Sequence, residues 1–265
     1  MGIPHPTAGS VALVTGASSG IGLAIATELA ARGHDLILVA RRRERLEALA
    51  EELHRTRDVR VEVMVCDLAE ANDRDQLLDA VNDTGLQVDV LILCAGFGLV
   101  GPHLDHDGDR VVNLIRTNVE STMALAHALI PAMAQRRRGA VLFVSSMAGN
   151  QPIPFFAAYA ASKAAVTSLG ESLHYELADS GVTVSVLAPA NVATEFAAVA
   201  DAVTQGERQS AFFTATAEQC ARAGIEALES GRRKVTPLPQ AALFAWLGPR
   251  LPRRVWFRIC RSMMR

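Results

Sequence analysis

Apolar residues in this chain fall into short unbroken runs, separated by longer stretches in which they recur every third or fourth position. The runs are SVALVTG (10–16), DLILVA (35–40), VRVEVMVCDL (59–68), VDVLILCAG (88–96), GAVLFVSS (139–146) and GVTVSVLAP (181–189). Each is short enough for a strand and rich in apolar residues, as buried parallel strands are. Between them, Ile21, Ile25 and Leu29 mark a helix after the first run, and a charged helix follows the second. Longer helices are predicted over residues 107–135 and 156–179, and KVTPL (234–238) adds a seventh strand. The βαβαβαβ order predicts an α/β protein: a doubly wound parallel sheet of about seven strands with helices on both faces. In such a sheet, ligands sit outside the carboxyl ends of the strands.

The first of those ends carries TGASSGIG. Gly16, Gly20 and Gly22 allow a tight turn and close approach to a pyrophosphate, and Ser18, Ser19 and Ile21 lead into a helix whose free amides face the same anion. The second strand ends in Ala40, Arg41 and Arg42, where enzymes that use NAD usually place a carboxylate for the ribose diol. Two guanidinium groups there pair with a 2′-phosphate instead, so NADP(H) is favoured over NAD(H). The third strand leads to Asp67 and Leu68, expected contacts on the adenine side, and the fourth to Ala95 and Gly96.

Tyr159 and Lys163 stand four apart in YAASK, so on a helix their side chains share a face. An ammonium beside the phenol would favour phenolate; lowering a tyrosine from about 10 to near 7 takes roughly 4 kcal/mol. The reading is of Tyr159 as a general acid near neutral pH. The fifth strand brings Ser145 and Ser146 to the same edge, and the 107–135 helix contains Asn118.

Together TGASSGIG, Asp67, the Cys94–Gly96 turn, Asn118, Ser146, YAASK and the Pro189 segment resemble the short-chain dehydrogenase/reductase family, over about residues 8–236. The resemblance implies a single Rossmann-type domain and an oxidoreductase that interconverts a carbonyl and an alcohol. By position it makes Tyr159 the acid, Ser146 the group that orients the carbonyl oxygen, and Lys163 a partner of both the tyrosine and the nicotinamide ribose. Asn118 then anchors a water that links the lysine to solvent. Pro189, Val192 and Thr194 take the carboxamide side of the cofactor, and a homo-oligomer is expected. Two departures stand out. Leu93 and Cys94 replace a pair of asparagines whose side chains brace the sheet, and Ala190 replaces a glycine. A sugar-nucleotide epimerase of the same superfamily would need a further C-terminal domain; a non-catalytic NADPH sensor or membrane-associated scaffold is the alternative.

Composition refines this picture in four places. With 265 residues, 50% of them hydrophobic, the chain has enough material for one well-buried domain. Four cysteines show no CxxC grouping and the histidines no ligand spacing, so free thiols in a reducing, cytoplasmic setting and no metal are expected. A net charge of −2 gives no pull towards nucleic acid. It conceals a basic tail, with nine Lys/Arg and no Asp/Glu in residues 231–265. In residues 237–265, Val255, Trp256, Ile259, Cys260 and Met263 share a helical face while Arg254, Arg258, Arg261 and Arg265 lie elsewhere. Such a helix suits either an anionic membrane surface, contacted peripherally through 238–265, or packing on the body. Residues 190–230, rich in small and apolar side chains with Phe196, Phe212 and Phe213, read as a substrate lid or as an ordinary packed helix pair. The PIPFF segment (152–156) is expected to wall an apolar substrate pocket.

Overall fold

A computed structural model describes residues 2–196, 200 and 214–263, the last three of these as backbone only. Seven parallel strands, β1 (Ser10–Thr15), β2 (Asp35–Ala40), β3 (Val61–Val65), β4 (Gln87–Leu93), β5 (Gly139–Val144), β6 (Val182–Leu187) and β9 (Lys234–Val235), form one sheet. Its order is β3-β2-β1-β4-β5-β6-β9. A separate parallel pair, β7 (Asn191–Val192) and β8 (Thr214–Ala215), follows β6. The helices are α1 (Gly20–Ala31), α2 (Arg43–Arg57), α3 (Ala71–Asp83), α4 (Gly108–Ile115), α5 (Ser121–Gln135), α6 (Ala157–Glu176), α7 (Ala217–Glu229), α8 (Pro239–Leu247) and α9 (Arg253–Met263). The chain is thus a Rossmann-type α/β fold.

Alternation along the strands divides the core in two. Ala12 and Val14 face Ile25, Leu29, Leu46, Ile225 and Leu228 of α1, α2 and α7. Val11 and Leu13 face the layer of Leu77, Leu125, Met133 and Val166 from α3, α5 and α6. Both faces of the central strands are covered, which is why β1, β2 and β5 are apolar nearly throughout, whereas the edge strand β3 alternates Val with Glu62 and is half-buried. The strand order reverses between β1 and β4, and the crevice at their carboxyl ends is where such sheets bind ligands.

Three expectations change here. The single helix expected over 107–135 is α4, one π turn at Arg116–Glu120, and α5. Residues expected to form a lid divide: Thr194, Glu195 and Phe196 edge the crevice, whereas α7 carries a full capping box at Thr216 and Gln219 and lies in the core. Phe212 and Phe213 lie outside the described residues. Part of the tail's apolar stripe packs on the body, with Trp256 2% and Cys260 4% exposed and Ile259 half-buried, whereas Val255 is exposed. Trp256 rests on Phe244 of α8, ring centroids 5.6 Å apart. Among the described residues no helix is long and apolar enough to cross a membrane.

At the opposite end of the sheet, Asp89 of β4 is 3% exposed and held by Arg136 at 3.3 Å and Arg138 at 2.6 Å. Arg136 also donates to the Val88 carbonyl, tying the end of α5 to β4. Asp89→Ala leaves two half-buried cations without a counter-charge, and should cost about 2 kcal/mol in urea unfolding without altering ligand binding at the far end.

Candidate active site

The turn after β1 is a cradle shaped by the absence of side chains. Gly16 has φ +70°, and a Cβ there would lie 3.0 Å from the Ala95 backbone. At Gly22 a Cβ would come within 2.3 Å of the Gly16 carbonyl, so α1 can begin this close to β1 only with glycine. The N-terminus of α1 thereby faces a cleft of about 300 Å³. Gly16, Ser18, Ser19, Gly20, Ile21, Gly22, Arg41, Arg42, Asp67, Leu68, Ala95, Gly96, Tyr159, Lys163 and Thr194 all line it. Asn118, Ser146, Pro189 and Val192 lie outside that lining.

At the far end of the cleft, Arg42 donates to the Ser18 hydroxyl (2.9 and 3.1 Å), to that of Ser19 (2.7 Å), and to Glu195 at 2.8 Å. Glu195 also takes Arg45 at 2.8 Å, and the two guanidinium groups hold its carboxyl below the usual range. Arg41 lies 3.6 Å from Asp67. This end offers cations, hydroxyls and helix amides together, a donor set that fits a phosphorylated dinucleotide.

At the near end, β5 and α6 position the chemistry. The Ser145 hydroxyl donates to the Lys163 carbonyl at 2.8 Å and lies 2.6 Å from that of Thr167, so this serine anchors α6. Ser146 instead caps a short 3₁₀ turn by accepting from the Ala148 amide at 3.1 Å, and its hydroxyl donates to the Pro189 carbonyl at 3.4 Å while favouring the ionised form of the nearby Tyr159 phenol. Tyr159 is 6% and Lys163 4% exposed.

The expected depression of the tyrosine does not occur in this geometry. Burial pushes the Tyr159 phenol up to about 12, and the Ser146 hydroxyl offsets this only in part. Lys163 does not reach the phenol oxygen: its ammonium donates to the Val144 carbonyl at 3.0 Å and sits 5.8 Å from the centre of the tyrosine ring. Burial lowers the lysine itself to about 8.

Asn118 is fully buried in the π turn. Its amide donates to the Phe97 carbonyl at 2.9 Å and to Ser162 at 3.0 Å, and accepts from the Phe97 amide at 3.0 Å. The side chain therefore splints the loop after β4 to α6 rather than meeting the lysine. Gly96 must stay bare between them, since a Cβ would lie 2.9 Å from Asn118 Oδ1 and 3.2 Å from Lys163 Nζ.

Two contributors escape a reading by motif. Thr15 accepts from the amides of Cys94 (2.9 Å) and Ala95 (3.2 Å) and donates to the Ile92 carbonyl, which braces β1 to β4 where Leu93 and Cys94 have no amide side chains. Ser162, inside YAASK, links Asn118 to the Tyr159 carbonyl at 2.8 Å. Above the tyrosine stands an aromatic wall: Phe156 stacks on it at 4.4 Å and Phe196 lies at 5.3 Å, with Leu99, Leu114 and Ile153 behind. Gly98 admits both rings, because a Cβ would meet Phe196 at 2.6 Å. The described residues contain no cluster suited to a metal, and the four cysteines are unpaired.

A lysine whose folded pKa is lowered opposes folding while it is charged. The unfolded chain binds its proton up to about 10.5, the folded one only to about 8, so stability rises with pH between those values. Lys163→Met should therefore melt above the wild type near pH 7, by at most the equivalent of roughly 3 kcal/mol. Thermal melts between pH 7 and 10.5 should show that advantage shrinking as pH rises.

Residues 10–204 match the family model described as short chain dehydrogenase. The chain is 31% identical over 252 residues to hydroxysteroid dehydrogenase-like protein 1 of Gallus gallus, covering 94% of this chain and 74% of that one. It is 32% identical over 194 residues to a Homo sapiens protein described as inactive hydroxysteroid dehydrogenase-like protein 1, covering 72% of this chain and 58% of the other. Its structure matches a short-chain dehydrogenase from Sphingobium yanoikuyae in complex with NADPH at a TM-score of 0.81 and 30% identity, covering 91% and 93% of the two chains. With the glycine cradle, the Ser146–Tyr159–Lys163 cluster and a family match that spans most of its length, this chain belongs to the short chain dehydrogenase family of oxidoreductases.

Proposed function

We propose that this chain is an NADP(H)-dependent oxidoreductase that interconverts a carbonyl and an alcohol on an apolar small molecule. Family membership leaves turnover open, since one relative is described as inactive. What carries the catalytic reading is that Tyr159 and Lys163 line the same cleft as the glycine cradle, with the Ser146 hydroxyl close enough to act on the tyrosine's ionisation. The cradle, Arg41, Arg42 and the amides of α1 would hold the dinucleotide, and Thr194 borders it from the other side. When bound, a reduced nicotinamide supplies hydride to the carbonyl carbon.

The chain's own residues then manage the oxygen and its proton. Ser146 donates a hydrogen bond that orients the carbonyl oxygen, and Tyr159 gives that oxygen its proton. Held near 12, the tyrosine is a phenol throughout the neutral range, ready as an acid and unready as a base. Lys163, lowered to about 8, exchanges protons near neutrality, and a water between its ammonium and the phenol would relay one to the tyrosine. Phe97, Phe156 and Phe196 exclude water from the acceptor end and favour an apolar ketone, in keeping with the hydroxysteroid names of its relatives. Exposed Val112, Ile115 and Met123 on α4 and α5 suit a contact between copies of the chain in a homo-oligomer.

Ketone reduction, followed by loss of NADPH absorbance across a panel of bulky ketones, tests this reading. Tyr159→Phe should bind NADPH as the wild type does and lose at least 100-fold in kcat; equal activity would remove the assigned acid. The pH profiles should differ in direction. Reduction should hold steady through neutral pH and decline above about 8 as Lys163 loses its proton, whereas alcohol oxidation, which needs phenolate, should rise with pH. Arg42→Ala should weaken NADPH about tenfold or more in a binding titration, with little effect on NADH, as expected for one charge-assisted contact to a phosphate.

A further inference from the structure

The loop from Gln151 to Phe156 joins the catalytic serine's turn to the catalytic tyrosine's helix and carries the aromatic wall over Tyr159. It is not a relaxed backbone. Phe155 has φ +64°, a region that a residue with a large side chain occupies only when its surroundings impose it. One restraint comes from the loop after β4, where the Gly101 amide donates to the Phe155 carbonyl at 2.8 Å. Another comes from the chain's last helix. The Trp256 indole N–H donates to the Pro152 carbonyl at 2.8 Å, 104 residues away in sequence, from a side chain that is 2% exposed. The turn between α8 and α9 presses on the same loop: Gln151 is 7% exposed, and a Cβ on Gly248 would lie 2.4 Å from its Oε1.

We propose that Trp256 is a positioning residue for the carbonyl substrate. Through Pro152 it holds the Pro152–Phe156 loop, and so sets where the Phe156 ring stands over Tyr159. The α8–α9 pair thus acts on the acceptor end of the cleft and leaves the phosphate cradle, on the far side of the sheet's switch point, untouched. This rests on the reductase reading above.

Trp256→Phe keeps a ring against Phe244 and removes only the N–H donor. Expected is a rise of about two- to tenfold in KM for bulky ketones, the equivalent of one neutral hydrogen bond, with NADPH affinity unchanged and kcat for a small ketone nearly so. Amide hydrogen exchange of the protein without substrate should quicken in residues 151–157 and stay the same in β1 and β4. That second readout needs no turnover, so a wild type that reduces no ketone would refute the reductase reading and still leave the coupling measurable. Gly248→Ala, which presses on Gln151 while keeping the indole bond, should change loop exchange and KM as well; it decides the matter if Trp256→Phe fails to fold. Unchanged KM and unchanged loop exchange in the folded variants would overturn the proposal.

Discussion

Lys163 carries an ammonium into the buried floor of the cleft, and its neighbours are arranged around the cost of that burial. The strand end at Val144 turns a carbonyl towards it, Gly96 withholds a side chain beside it, and the Tyr159 ring lies within cation–π distance. Charged, the lysine destabilises the fold, and its lowered pKa is the measure of this. Structural economy would place an apolar residue here. The proton-carrier role proposed for it is a chemical reason to keep a lysine instead.

Its position depends on hydrogen bonds that hold α6 against the sheet. Ser145 and Thr167 fix α6 to the end of β5, and Asn118 with Ser162 fixes it to the loop after β4. The π turn in the long helix brings Asn118 inward at the needed height, in line with the occurrence of such turns at functional sites. Thr15 closes the set by bracing β1 to β4, so the cradle for phosphate and the cluster for proton transfer are held in one frame.

Much of this was legible from the residues. Short apolar runs separated by helical patterns indicated a parallel sheet with helices on each side, because parallel neighbours need a crossover that a helix supplies. The spacing of TGASSGIG reported its geometry directly, since only glycine tolerates the approach of α1 to β1 at Gly22. Contacts made across the sheet left no such trace. Thr15 is an ordinary strand threonine until β4 comes alongside it, and Ser162 an ordinary helix serine until the π turn faces it.

Identity and order were therefore determined by the sequence: the fold class, the phosphate turn, the serine–tyrosine–lysine set and the arginines that follow β2. Local spacing specifies these, because each depends on residues within a few positions of one another. Tertiary structure alone decided the electrostatics and the long-range ties. Lys163 four residues after Tyr159 looked sufficient to make a phenolate, yet burial raises the phenol and turns the ammonium to a backbone carbonyl. Residues 238–265 suited either a lipid surface or the body, because amphipathicity states that a face must be covered and not by what. Only packing places Trp256 on Pro152, beside the wall of the active site.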